Sequence, residues 1–180
     1  MRLLRLLPIG KVDGGLLTEL AAAIAHTLHI RCQIANATLD PEVAFHVERE
    51  QYHSSELIHR MNGYVTPDTW RLLGVTAVDL YIPILTFVFG EAQMGGPCAV
   101  VSTYRLRQDF YGLPADSTLL RERLLKEAVH EIGHTLHLTH CDDYTCAMAP
   151  SHAVEWIDLK GSLLCPGCQT RAHDTILARS

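Results

Sequence analysis

His130-Glu131-Ile132-Gly133-His134-Thr135-Leu136-His137-Leu138-Thr139-His140-Cys141 is the stretch around which this 180-residue chain is best read. Upstream of it, Leu120, Leu124, Ala128, Ile132 and Leu136 recur every four residues, behind Pro114 and a capping Asp116 or Ser117. That spacing predicts one long amphipathic helix running into the stretch. On such a helix His130 and His134 stand about 6 Å apart along the axis, one turn, so two imidazoles can share one metal ion. They point nearly opposite to Ile132 and Leu136, which leaves the apolar face free to pack on a sheet.

H-E-x-x-H on a helix is a zinc-peptidase pattern, and its chemistry explains its residue types. A catalytic zinc takes three protein ligands and keeps one position open, so a third ligand is needed, and His140 is the candidate. Such a zinc would acidify a water molecule and polarise a scissile carbonyl. Glu131, beside the first histidine but rotated off its direction, suits a general base that takes the proton from water and passes it to the leaving amine. His137 is a rival by spacing alone. On a continued helix, however, it lies about 10 Å along the axis from His130, while two nitrogens on one zinc lie about 3 to 4 Å apart. The chain is therefore expected to turn after Leu136, with His137 at positive φ ending the helix and His140 brought back. His26, His29, His46, His53, His59 and His173 show no ligand spacing.

Immediately after His140 comes a second pattern, Cys141 and Cys146, followed by Cys165-Pro166-Gly167-Cys168. Four thiolates in two short clusters suit a closed tetrahedral structural zinc, which would crosslink a segment with few periodic apolar positions. Cys32 and Cys98 lie in apolar strand-like runs and read as small buried residues. The segment Met1 to Gly10 is apolar, but Arg5 interrupts it and it is too short to span a membrane. Without an export signal, reduced cysteines and a cytoplasmic location are expected, with disulfides as the alternative. With 15 basic and 20 acidic residues, a net charge of -5 and no basic block, nothing in the chain favours nucleic acid or an anionic membrane as a partner.

Leu3 to Ile9 reads as a buried strand, Asp13 as the cap of a helix carrying Leu16, Leu20, Ile24 and Leu28, and Ile30 to Ile34 as a second strand. Ser54 to Met61 is a helix candidate, and Thr66-Pro67 reads as the start of another that ends near Gly74. Strands are expected around Val78 to Ile82, Phe87 to Phe89 and Ala99 to Leu106, the last two joined by a tight reversal at Gly95-Gly96-Pro97. A final helix is expected from about Cys168 to Ala178.

Together, residues 130–141 as HEIGHTLHLTHC, then Cys146-Ala147-Met148 and Cys165-Pro166-Gly167-Cys168, resemble the archaemetzincins. Asp79-Leu80-Tyr81 and Phe87 to Glu91 look like strands of that family's sheet. The resemblance implies an α/β fold of metzincin type: a mixed twisted sheet, a backing helix, a long active-site helix and a small zinc-stabilised C-terminal lobe. It implies one catalytic domain over 1–180, with lobes 1–137 and 138–180. It also implies two zinc ions, one on His130, His134 and His140 and one on Cys141, Cys146, Cys165 and Cys168, with Met148 as an apolar floor under the first. Two departures stand out: His137 replaces the glycine of the extended motif, and the gap from Met148 to Cys165 is about one residue short. The function implied is hydrolysis of peptide bonds in peptides or proteins, the substrate pairing with an edge strand at Phe87 to Glu91 or Ala99 to Tyr104. The alternatives are a catalytically silent zinc-stabilised binding module and a hydrolase of a non-peptide amide.

Overall fold

The computed structural model describes residues 2–177 and has an α/β architecture. In chain order its elements are β1 (Leu3–Ile9), α1 (Gly14–Leu28), β2 (Arg31–Ile34), β3 (Phe45–His46), β4 (Gln51–His53), α2 (Ser54–Met61) and β5 (Arg71–Thr76). There follow β6 (Leu80–Tyr81), β7 (Gly90–Ala92), β8 (Cys98–Ser102), α3 (Ser117–Thr135), α4 (Val154–Leu159) and α5 (Pro166–Leu177). The main sheet has the order β2-β1-β5-β8-β7, parallel except for β7, which runs antiparallel to β8 along one edge. A small second sheet holds β3, β4 and β6.

The central strands read as near-continuous apolar runs because both of their faces are covered. On one face Leu4, Leu6, Leu73, Val75 and Val101 pack under Leu20 and Ile24 of α1 and Leu124, Ala128 and Ile132 of α3. On the other, Leu7, Ile9, Leu72, Cys98 and Val100 pack under Leu57, Ile58 and Met61 of α2. A third cluster joins Leu136 and Leu138 to Cys146, Met148, Cys168 and Ala172. Asp13 caps α1, its carboxylate accepting from Leu16 N at 2.7 Å, and Asp116 caps α3, accepting from Leu119 N at 2.9 Å.

Several expectations change. No helix spans Thr66 to Gly74: Thr66 to Thr69 form a single turn, and residues 71–76 are the central strand β5, all of them buried. The Thr-Pro pair starts a turn that does not continue as a helix, because the run Leu72-Leu73-Gly74-Val75 is apolar on two faces, as a central parallel strand requires. The strand expected at Phe87 to Phe89 lies slightly later, at Gly90–Ala92; Val88 makes only one bridge, to Leu80. Ala99 to Leu106 shortens to Cys98–Ser102. Because β8 is paired on both sides, by β5 and β7, it offers no free edge. The last helix starts at Pro166, and Ala178, its expected end, lies outside the described residues. Among the described residues no helix is long and apolar enough to cross a membrane.

Candidate active site

The long helix α3 delivers His130 and His134 into a cleft of about 600 Å³ whose one wall is the segment from Leu85 to Ala92, and whose other wall includes Pro150, Ser151 and His152. Both imidazoles are held from behind. His130 Nδ1 lies 2.8 Å from Ala147 O and His134 Nδ1 lies 2.7 Å from Leu138 O. A carbonyl can only accept, so each Nδ1 carries a hydrogen, and in the neutral ring Nε2 is then the lone pair that faces the cleft. The two Nε2 atoms are 3.1 Å apart. His140, exposed, closes the group, with its ring 5.3 Å from that of His130 and 5.1 Å from that of His134. One ligand atom from each of the three lies within 4.8 Å of the others, a spacing that fits a single zinc with bonds of about 2.0 Å. Burial lowers the pKa of all three, and the Lys160 charge acts the same way, which favours the neutral imidazole that a metal needs.

The turn that recruits His140 is a Schellman helix end. Leu138 N donates to Gly133 O at 3.1 Å and His137 N to His134 O at 3.0 Å, with His137 at φ 64. His137 is exposed, and its ring covers Gly95 closely enough that a side chain there would overlap it. Gly95 N in turn donates to His134 O at 3.0 Å. His137 is not part of the histidine group.

Glu131 is buried in the cleft wall against the edge strand β7, its Cγ and Oε1 passing over Gly90. Burial holds its carboxyl well above the ordinary carboxylate range, the charges of Glu127 and Glu91 push the same way, and Lys160 opposes them. A dication at the histidines would add to that opposition and favour the carboxylate. Met148 is fully buried at the third position of a turn closed by Ala149 N donating to Cys146 O at 2.9 Å. It packs against Gly133, where a Cβ would overlap Met148 Sδ. Cys141 N donates to Met148 O at 3.0 Å, so the residue after His140 is tied to the same turn.

Behind that turn the sulfurs of Cys141, Cys146, Cys165 and Cys168 form the second group, again within 4.8 Å of one another. All four are free thiols; Cys141 and Cys165 stand 3.8 Å apart, far from a bond of about 2.05 Å. The amides of Met148 and Cys165 donate to Cys146 Sγ at 3.4 and 3.3 Å, and Arg171 donates to Cys168 Sγ at 3.0 Å. Hydrogen bonding, chiefly from the Cys168 backbone, pulls Cys165 down to about 7, whereas burial pushes Cys168 up to about 12. The donor set suits zinc, and the amides and the arginine would offset the negative charge of four thiolates. Cys32 and Cys98 stand apart, raised by burial to about 12 and about 11.

The sequence analysis assigned no role to four residues of the site: Gly90, Gly133, Glu127 and Lys160. A glycine inside a strand pattern signals close approach of another group, which is the role of Gly90. Glu127 and Glu131 are like charges four apart on one helix, which repel, and their burial makes a nearby cation favourable.

Residues 25–173 match the family model described as peptidase family M54. The chain is 37% identical to the archaemetzincin of Methanocaldococcus jannaschii, over 93% of this chain and 90% of that one. Its fold is similar to the crystal structure of an archaemetzincin from Archaeoglobus fulgidus, with a TM-score of 0.80 and 34% identity, covering 94% of this chain and 99% of the other. It is also similar to a zinc-dependent peptidase from Methanocorpusculum labreanum, with a TM-score of 0.83 and 28% identity, covering 94% and 99%. On these matches, together with the two groups of metal-binding side chains, the chain belongs to peptidase family M54, the archaemetzincins, a family of zinc metallopeptidases.

Proposed function

We propose that this chain hydrolyses peptide bonds with zinc held by His130, His134 and His140 and with Glu131 as general base. The observation that carries this reading is the convergence of three imidazoles beside a buried carboxylate that rests on an edge strand. A metal site kept only for stability needs no carboxylate there. Zinc supplies Lewis acidity to the scissile carbonyl and to the attacking water.

The protein's own residues do the rest. An extended peptide adds to the free side of β7 at Gly90–Ala92, where backbone hydrogen bonds hold the scissile bond along the cleft. The Ala147 and Leu138 carbonyls keep His130 and His134 in the one tautomer that presents Nε2. Glu131 takes a proton from the attacking water on its carboxylate and returns it to the departing nitrogen. Cys141, Cys146, Cys165 and Cys168 hold a second, structural zinc, which anchors residues 138–180 as a lobe of the single domain and steadies His140 through Cys141. Thiolate ligands of this kind accord with a reducing, cytoplasmic setting.

Digestion of a peptide library by metal-replete protein, read by mass spectrometry, tests the activity, and Glu131→Gln tests the mechanism. The variant is expected to keep zinc and lose turnover by about 10²-fold or more, since general-base catalysis typically contributes 10² to 10⁴. Parental rates from Glu131→Gln would refute the base assignment.

A further inference from the structure

Beneath the histidines lies a cation that the reaction above does not use. Lys160 follows the last residue of α4, and its side chain is entirely enclosed. An ammonium in such a place is costly unless its partners are close and well placed. Its Nζ stands 2.7 Å from Glu127 Oε1 and donates to Ala149 O at 3.2 Å. A third neighbour is His130 Nδ1, at 3.4 Å. That nitrogen already donates to Ala147 O at 2.8 Å, so it carries a hydrogen and cannot accept from the ammonium. Two N–H groups thus reach the carbonyls on either side of Met148.

The partners come from three parts of the site: Glu127 one turn before Glu131 on α3, Ala149 in the turn around Met148, and Lys160 after α4. A simple tie between α3 and α4 does not require Lys160. Arg123 is already forked onto Asp158 at 2.7 and 2.6 Å, and Lys126 donates to Ile157 O at 3.1 Å. Nor does filling the space require a lysine, because an apolar side chain would do so at less cost. What Lys160 adds is a fixed point for the backbone that carries the acceptor of His130.

We propose that Lys160, balanced by Glu127, is a positioning residue for His130: it holds the Ala147–Ala149 backbone so that the Ala147 carbonyl sets the ring plane and Nε2 faces the metal. This rests on the reading of His130 as a ligand. Partners that orient metal-binding histidines in this way act on metal affinity as much as on the fold.

Zinc and cobalt(II) titrations of the full chain, with the cysteine group already loaded, read the site without turnover. Glu127→Gln/Lys160→Met removes both charges at nearly constant volume. It is expected to fold, to keep one ion on the cysteines, and to bind the second about 10- to 100-fold more weakly, with altered cobalt absorption bands. Lys160→Arg, which keeps a cation and its donors, is expected to recover most of that affinity, and the melting temperature of each variant reports the fold separately. The proposal is overturned if the double variant binds the second ion as the parent does, or if Lys160→Arg weakens binding as much as the double variant. His130→Ala is the control: retention of the second ion there would remove the ligand assignment itself, a different failure.

Discussion

Gly90→Ala asks how closely Glu131 must rest on the edge strand. A Cβ at position 90 would stand 2.6 Å from Val100 O, 2.8 Å from Glu131 Cγ and 3.0 Å from Glu131 Oε1. Ordinary contact begins near 3.4 Å, so the strand or the Glu131 side chain must yield by about 0.4 to 0.8 Å. Val100 belongs to β8, paired on both sides, and its carbonyl cannot move alone. The displacement therefore falls on β7 and on Glu131. Overpacking of this kind costs about 1 to 3 kcal/mol, and each kcal/mol lowers Tm by about 2 to 4 °C in a chain of this size. The effect on rate should be larger in proportion, since a misplacement of about 1 Å near the reacting atoms can cost about 10²-fold. The expected result is a folded protein that keeps its metal and loses about 10- to 100-fold in kcat. Initial rates on a peptide found by library digestion, with zinc content and a thermal melt on the same samples, check it. A parental kcat alongside a lowered Tm would show that Glu131 does not act from this position, and loss of zinc with activity would place the damage on the histidines instead.

His137→Gly is expected to keep both metal sites and change stability little. Relief of about 1 to 2 kcal/mol of left-handed strain is partly offset by about 0.5 to 1 kcal/mol of added chain entropy in the unfolded state; a melt and a metal analysis check this, and loss of the histidine-site ion would overturn the ligand assignment. Chelation should remove zinc in two stages, first from the three histidines with their open position and later from the enclosed cysteines; a single ion per chain, or disulfides among the four cysteines, would contradict it. In metal-free Glu131→Gln protein, stability should fall as pH drops below about 6.5, because His130, His134 and His140 are held below that value by burial. The unfolded chain takes up those protons first, so the loss continues down to the lower folded values. Removing Glu131 matters here because a carboxyl raised by burial has the opposite linkage, its stability contribution being lost as pH rises. Denaturation midpoints across acid pH test the sign, and a flat profile would refute it.

What the sequence determined by itself was whatever depends on local spacing. Two histidines four apart on an amphipathic helix must share a face, and His137 on a straight helix is too far from His130 to join them. Axial distance required a turn there, and the left-handed residue that usually ends a helix placed the positive φ at His137. The Gly95-Gly96-Pro97 reversal and the caps at Asp13 and Asp116 were legible for the same reason. The run at Leu72 to Val75 was misread because an apolar stretch covered on both faces has no period to show which element it forms.

Tertiary structure decided what long-range approach controls. Only in the folded chain does Ala147 O reach His130, does Gly90 make room for Glu131, and does Lys160 reach back 30 residues to His130 and further still to Glu127. The same packing placed β7 at the sheet edge that borders the cleft and closed β8 between neighbours. A charge buried by distant segments leaves no periodic trace in the sequence. Its cost, and the partners that offset it, exist only once α3, the Met148 turn and the end of α4 are brought together.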